Sequence, residues 1–188
     1  MAVALWLLAL QGVMGAFDTV YYHEWRARLP GLGPQAALEL RLHAARDALY
    51  AVIFATVPWF AWQGLWTFAL VTVLVAEIVL TMADFIVEIS ARKSLGDVYG
   101  GERLTHAAMG ILYGAMLANL YPTIRVWGVR PTALRWTPAS STPMLRWCLT
   151  GMALGVLLSG MRDLYASLGL PCGDWPWTLP SSSRDGCP

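Results

Sequence analysis

Of the 188 residues, 57% are hydrophobic and only 13% charged, with a mean hydropathy of +0.51 and a formal net charge of +1. That composition excludes an ordinary soluble domain. Arginines scattered over loops, with no basic face, exclude a nucleic-acid-binding protein. The expected class is an all-α integral membrane protein.

Crossing about 30 Å of hydrocarbon takes about 20 apolar residues, and about five stretches meet or approach this length. They run over Ala2 to Tyr22, His43 to Trp62, Leu65 to Ile89, Leu104 to Ile124 and Met144 to Leu168. The first lacks a basic leader and carries Asp18 where a signal peptide would be cleaved, so it reads as a retained helix. Only Gln63 and Gly64 separate the second from the third. Trp127 to Pro143, interrupted by Pro131 and Pro138, reads as an irregular loop or re-entrant segment. Trp59, Trp62, Trp66 and Trp127 fit an interfacial belt. Gly110 and Gly114, like Gly151 and Gly155, have the spacing that lets membrane helices approach closely. Past Pro171 lies a tail without periodicity, in which Cys172 and Cys187 are spaced for a disulfide or are simply two thiols.

An internal repeat organises the first four segments. Glu39 to Ala51 reads ELRLHAARDALYA and Glu102 to Gly114 reads ERLTHAAMGILYG, with Glu, His, Ala, Ala, Leu and Tyr in register. The preceding segments match as well, Gln11 with Glu77, Asp18 with Asp84 and Arg26 with Arg92. Residues 1–125 therefore read as duplicated transmembrane hairpins, about 1–62 and 65–125. A pseudo-twofold axis along the membrane normal would relate the pair as a four-helix bundle. Residues 126–188 supply the loop, a fifth helix expected to pack outside that bundle, and the polar tail.

The repeat brings chemistry-bearing residues to one face of the membrane. Asp18 and Asp84 lie near the ends of their segments, while Glu39 with His43 and Glu102 with His106 open theirs, each pair one turn apart on one side of a helix. Ionisable groups within a span point inward because facing lipid is costly. Asp18, Glu39, His43, Asp84, Glu102 and His106 are thus the expected metal ligands, with Glu88, His23 and Glu77 as additions. Carboxylates and imidazoles suit two ions of Fe, Zn or Mn, with Fe the leading candidate. The ligand set resembles that of the ferritin-like di-iron carboxylate proteins, which combine Glu with Glu-x-x-His pairs. Here the pair is Glu-x-x-x-His and the other ligands are Asp, so the likeness is one of ligand sets.

The expected function is a membrane-embedded, metal-dependent oxidoreductase with a dinuclear site acting on a lipid or other lipophilic small molecule. Competing readings are a dizinc hydrolase, a haem-binding subunit with His43 and His106 as axial ligands, and a non-catalytic subunit docked to a membrane-protein partner through the tail. A salt-bridge network with Arg26, Arg46, Arg92 and Arg103 would explain the acids without metal, and Arg46 is expected to pair locally with Asp47. Arg26, Arg28, Arg41, Arg92, Lys93 and Arg103 favour a cytoplasmic position for the site in a multi-pass cell-membrane protein, against Arg125, Arg130, Arg135 and Arg146 on the other side.

Overall fold

A computed structural model describes residues 1–93, 96–137 and 142–177. Helix α1 (Ala2–Phe17) runs into a π-helix (Asp18–Ala27), which ends where Arg28 takes a left-handed conformation at φ 52°. A 3-10 turn over Leu29–Gln35 leads into α2 (Ala37–Thr56). Strand β1 (Phe60–Gln63) and α3 (Leu65–Ala91) follow, joined through Gly64. Then come α4 (Gly100–Gly128), β2 (Ala133–Trp136) and α5 (Pro143–Ser167), the last opened by a proline in its first turn, where a missing N–H leaves no bond unmade.

Residues 2–27 together, α3, α4 and α5 are long and apolar enough to cross a membrane. The shorter α2 carries Glu39, Arg41, Arg46 and Asp47 within 20 residues, which lowers its hydropathy. Large apolar side chains such as Phe68, Ile86, Leu104, Ile111 and Leu158 are exposed, whereas Asp18, Glu39, Glu77, Asp84, Arg92 and Glu102 are buried. Polar groups inside and apolar groups outside is the distribution a bilayer selects.

The helix contacts run mainly across the repeat. Helix α1 lies on α4 and α5, α2 on α3 and α5, and α3 meets α4 more loosely. The largest interface is between α2 and α5, so α5 belongs to the core and does not stand outside it as expected. The reason lies in the sequence of α5: Leu145, Leu149, Ala153, Gly160, Asp163 and Ser167 form one buried stripe. At Gly160 an added Cβ would lie 2.7 Å from the Asp47 Cβ and 3.2 Å from the Ala44 carbonyl. The main core, with Leu5, Leu8, Ile53, Leu70, Met116, Leu120 and Leu149, lies toward the end of the molecule remote from the acids.

That remote end is closed by an antiparallel ribbon in place of the expected irregular loop. Phe60 pairs with Trp136 and Gln63 with Ala133. Trp59 stacks on Trp136 and meets Trp147 edge-on, with the Arg146 guanidinium over its ring. Gly64, at φ 61°, is needed twice over: the conformation is left-handed, and an added Cβ would lie 2.6 Å from the Thr132 Cα. Trp62 and Trp127 are buried in the core, unlike the exposed Trp66, so those two do not form part of an interfacial belt. The glycine pairs behave differently from expectation too. A Cβ at Gly110, Gly114, Gly151 or Gly155 would meet nothing within 4 Å, so none marks a close helix approach among the described residues. Cys172 is disulfide-bonded, and its expected partner Cys187 lies outside the described residues.

Candidate metal centre

Each half of the repeat reaches into the other. His106 Nε2 on α4 lies 3.1 Å from Asp18 Oδ2, and His43 Nε2 on α2 lies 3.2 Å from Asp84 Oδ2. The residues paired are those the repeat makes equivalent. Between them, Arg92 donates to Glu39 at 2.8 and 2.9 Å and to Glu102 at 3.0 Å. Glu39 and Glu102 therefore lie at the same end of the molecule. All three side chains are no more than 1% exposed, which makes the two carboxylates and one guanidinium a buried triad.

Beyond these equivalences the halves differ. The π-helix accounts for the first difference: Asp18 and His23, five apart, would point about 140° away from each other on an α-helix, whereas i→i+5 winding brings them to the same side. His23 Nε2 thus lies 3.3 Å from Asp18 Oδ2 and 3.4 Å from Glu102 Oε1. Neither contact has hydrogen-bond geometry, and His23 Nε2, Asp18 Oδ1 and Glu102 Oε2 are buried without a hydrogen-bond partner among the described residues. Asp18, His23 and His106 offer three ligand atoms within 4.8 Å of one another, and so do Glu88, Glu102 and His106. His106 Nδ1 lies 3.7 Å from Glu88 Oε2, and Phe85 stacks on the His106 ring.

On the other side the pocket holds a built-in cation. Arg46 Nη1 donates to Asp84 Oδ2 at 2.6 Å, so it pairs across to α3 and not with its neighbour Asp47. Its repeat equivalent is Met109, which is why the Asp18 side has no counterpart charge. His43 Nδ1 faces Asp163 of α5 at 3.8 Å, and its ring stacks on His23 with centroids 4.5 Å apart.

Of the nine residues singled out from the sequence, the structure brings Asp18, His23, Glu88, Glu102 and His106 into groups with metal-ligand spacing. Glu39, His43 and Asp84 adjoin them but are engaged by Arg92, Arg46 and Asp163. Glu77 stands apart, about 10 Å along α3 from Asp84, where Thr81 donates to it at 2.7 Å. Phe85 gave no signal as one more aromatic residue in an apolar helix. Asp163 and Arg162 were legible from their depth in the fifth helix; Arg162 pairs with Glu24, to which Trp177 also donates.

A cavity of about 310 Å³ opens beside this layer, with Asp18, His23, His43 and Asp163 at one end and Phe54 and Met152 among its walls. A second, of about 210 Å³, lies on the far side of Arg46 and Tyr50 and touches His106. Comparison with family models, curated proteins and solved structures finds no match to this chain.

Proposed function

We propose that this chain is a membrane-embedded, metal-dependent oxidoreductase whose single metal ion is held by Asp18, His23 and His106, with Glu88 and Glu102 beside it. The observation that carries this is the trio of buried residues whose ligand atoms lie within 4.8 Å of one another, in which His106 Nε2 and Asp18 Oδ2 share a 3.1 Å hydrogen bond and His23 Nε2 has no hydrogen-bond partner among the described residues. Two histidines and one carboxylate with positions left open are the ligand set of non-haem Fe(II) oxygenases, so Fe is the leading metal, with Mn or Zn as alternatives. One ion is proposed in place of the two expected from the repeat. Both ligand groups share His106, and Arg46 already neutralises Asp84 on the other side. The first four helices retain a pseudo-twofold relation in this reading, with one of the two cross-half Asp–His pairs holding metal and the other an internal cation.

The metal, when bound, would supply activation of O2. The chain contributes the rest: Glu88 steers the His106 ring from its Nδ1 side, Arg92 fixes Glu102 at the edge of the site, and the apolar cavity admits a lipophilic substrate while excluding water. A bis-histidine haem fits poorly, because both His43 nitrogens face carboxylates and its ring lies on His23. The buried Arg46 and Arg92 pairs favour one competing reading, a purely structural ion network. A partner-docking role for the tail falls on residues 178–188, outside those described, since Trp175 and Trp177 bond within the chain. The site is proposed to face the cytoplasm on the strength of the basic residues around it, against the disulfide at Cys172 near the same end, which favours an oxidising compartment.

Elemental analysis of protein purified without chelators tests the reading. About one Fe, Mn or Zn per chain is expected, with retention lost in His23→Ala and Asp18→Ala. A metal-free preparation that also fails to take up Fe(II) under anaerobic conditions would favour the structural network.

A further inference from the structure

One to two helical turns beyond Asp18 and His43, two side chains each leave one buried polar atom without a hydrogen-bond partner among the described residues. Gln11 of α1 is 4% exposed, and its Nε2 donates to the Tyr50 hydroxyl at 3.2 Å, while its Oε1 accepts nothing. Arg46 gives its Nη1 to Asp84, while its Nε donates to nothing. Both residues line the 310 Å³ cavity and the 210 Å³ one, forming with Tyr50 and Met109 the partition between them. An unpaired buried acceptor and an unpaired buried donor in one wall are costly in an apolar surrounding. One ligand group that both donates and accepts would satisfy the two together.

We infer that the larger cavity binds a medium-chain aliphatic alcohol, its hydroxyl lodged at the partition, donating to Gln11 Oε1 and accepting from Arg46 Nε–H. Three features support this. A volume near 310 Å³ is in the range of small-molecule sites. The walls at Gly12, Phe54, Met152 and Val156 are apolar. Gly15 and Gly155, one on α1 and one on α5, line the cavity, and an added Cβ at either would touch nothing within 4 Å. Gln11 precedes Asp18 by seven residues, about 10 Å along the helix. A chain of about eight to ten carbons anchored at Gln11 therefore lays its far end beside Asp18 and His23. The binding claim stands on the cavity itself; the alcohol's standing as substrate rests on the metal reading proposed above.

The test uses the full chain in phospholipid nanodiscs, titrated with 1-decanol, decyl methyl ether and decane, each corrected for partition into empty nanodiscs, with thermal stability as the readout. The ether keeps the acceptor and lacks the donor; the alkane lacks both. Decanol is expected to saturate at a concentration at least about tenfold lower than either analogue. Gln11→Leu should bring decanol to the level of the ether, and Gly155→Leu, which fills open space in the cavity, should abolish saturable binding. Equal binding of all three compounds by the unaltered protein would overturn the inference, as would undiminished decanol binding in Gly155→Leu. Metal content of the same samples separates the two readings. Selective decanol binding by a protein that takes up no metal leaves the alcohol site standing and removes the oxidoreductase, whereas a metal-loaded protein without selectivity does the reverse.

Discussion

Arg92 holds two repeat-related glutamates with one side chain, and its own guanidinium is only 1% exposed. Removing one member of such a buried set leaves charge without compensation, which costs about 3–5 kcal/mol. Arg92→Met should lose stability of that order in a reversible detergent unfolding titration, and adding Glu39→Gln with Glu102→Gln should recover most of it. Recovery absent from the triple variant would mean that Arg92 matters through its packing. The histidines divide just as sharply. His106→Ala is expected to lose metal, whereas His43→Ala, removing a ring engaged by Asp84 and Asp163, should retain at least about half of it, both read by elemental analysis. Equal loss in the two would restore a symmetric site. The ligand candidates were visible in the sequence because identity and spacing survive whatever the backbone does. Which carboxylates an arginine already holds was not visible, since Arg46 and Arg92 reach their partners across 38 and 53 residues.

Among the elements, those that escaped the sequence reading depend on backbone geometry that periodicity does not encode. Four-residue strands pair at a separation set by α3 and α4, so neither β1 nor β2 has a local signature. The π-helix is built from residues that would suit an α-helix equally well. Gly64 is the exception with a clear physical mark, a glycine between two apolar runs. Gly64→Ala imposes a left-handed conformation on a β-carbon that also strikes Thr132, so a loss of about 1–3 kcal/mol is expected by the same unfolding measurement. Gly151→Ala, facing open space, should change stability by less than about 1 kcal/mol. Similar losses in both would show that α5 is seated differently.

At the scale of the molecule, the apolar exterior and polar interior were legible from composition, because a bilayer leaves few other arrangements for ionisable residues. The seat of α5 was not, since a helix outside a repeat carries no internal reference for its neighbours. The basic residues around the site are the ground for the proposed orientation. In a Cys148→Ser background, Lys93→Cys should react with a membrane-impermeant maleimide from the cytoplasmic side of inverted vesicles and stay unlabelled in intact cells. The opposite pattern would move the site to the outer face.

The wide winding of Asp18–Ala27 has a consequence for how this site tolerates change. Its ligands are set by chain length as much as by residue type, because His23 faces Asp18 only while the segment keeps its extra residue per turn. Inserting one alanine after Thr19, a residue that supplies none of the metal ligands, would put Asp18 and His23 six apart and swing His23 by roughly 80–100° about the helix axis. Such a one-residue frame shift within a helix should abolish metal binding while circular dichroism shows the helical content unchanged. Substituting Thr19 with Ala should leave both metal binding and helical content unchanged. A binding centre of this kind is robust to substitution along the segment and fragile to a single added residue.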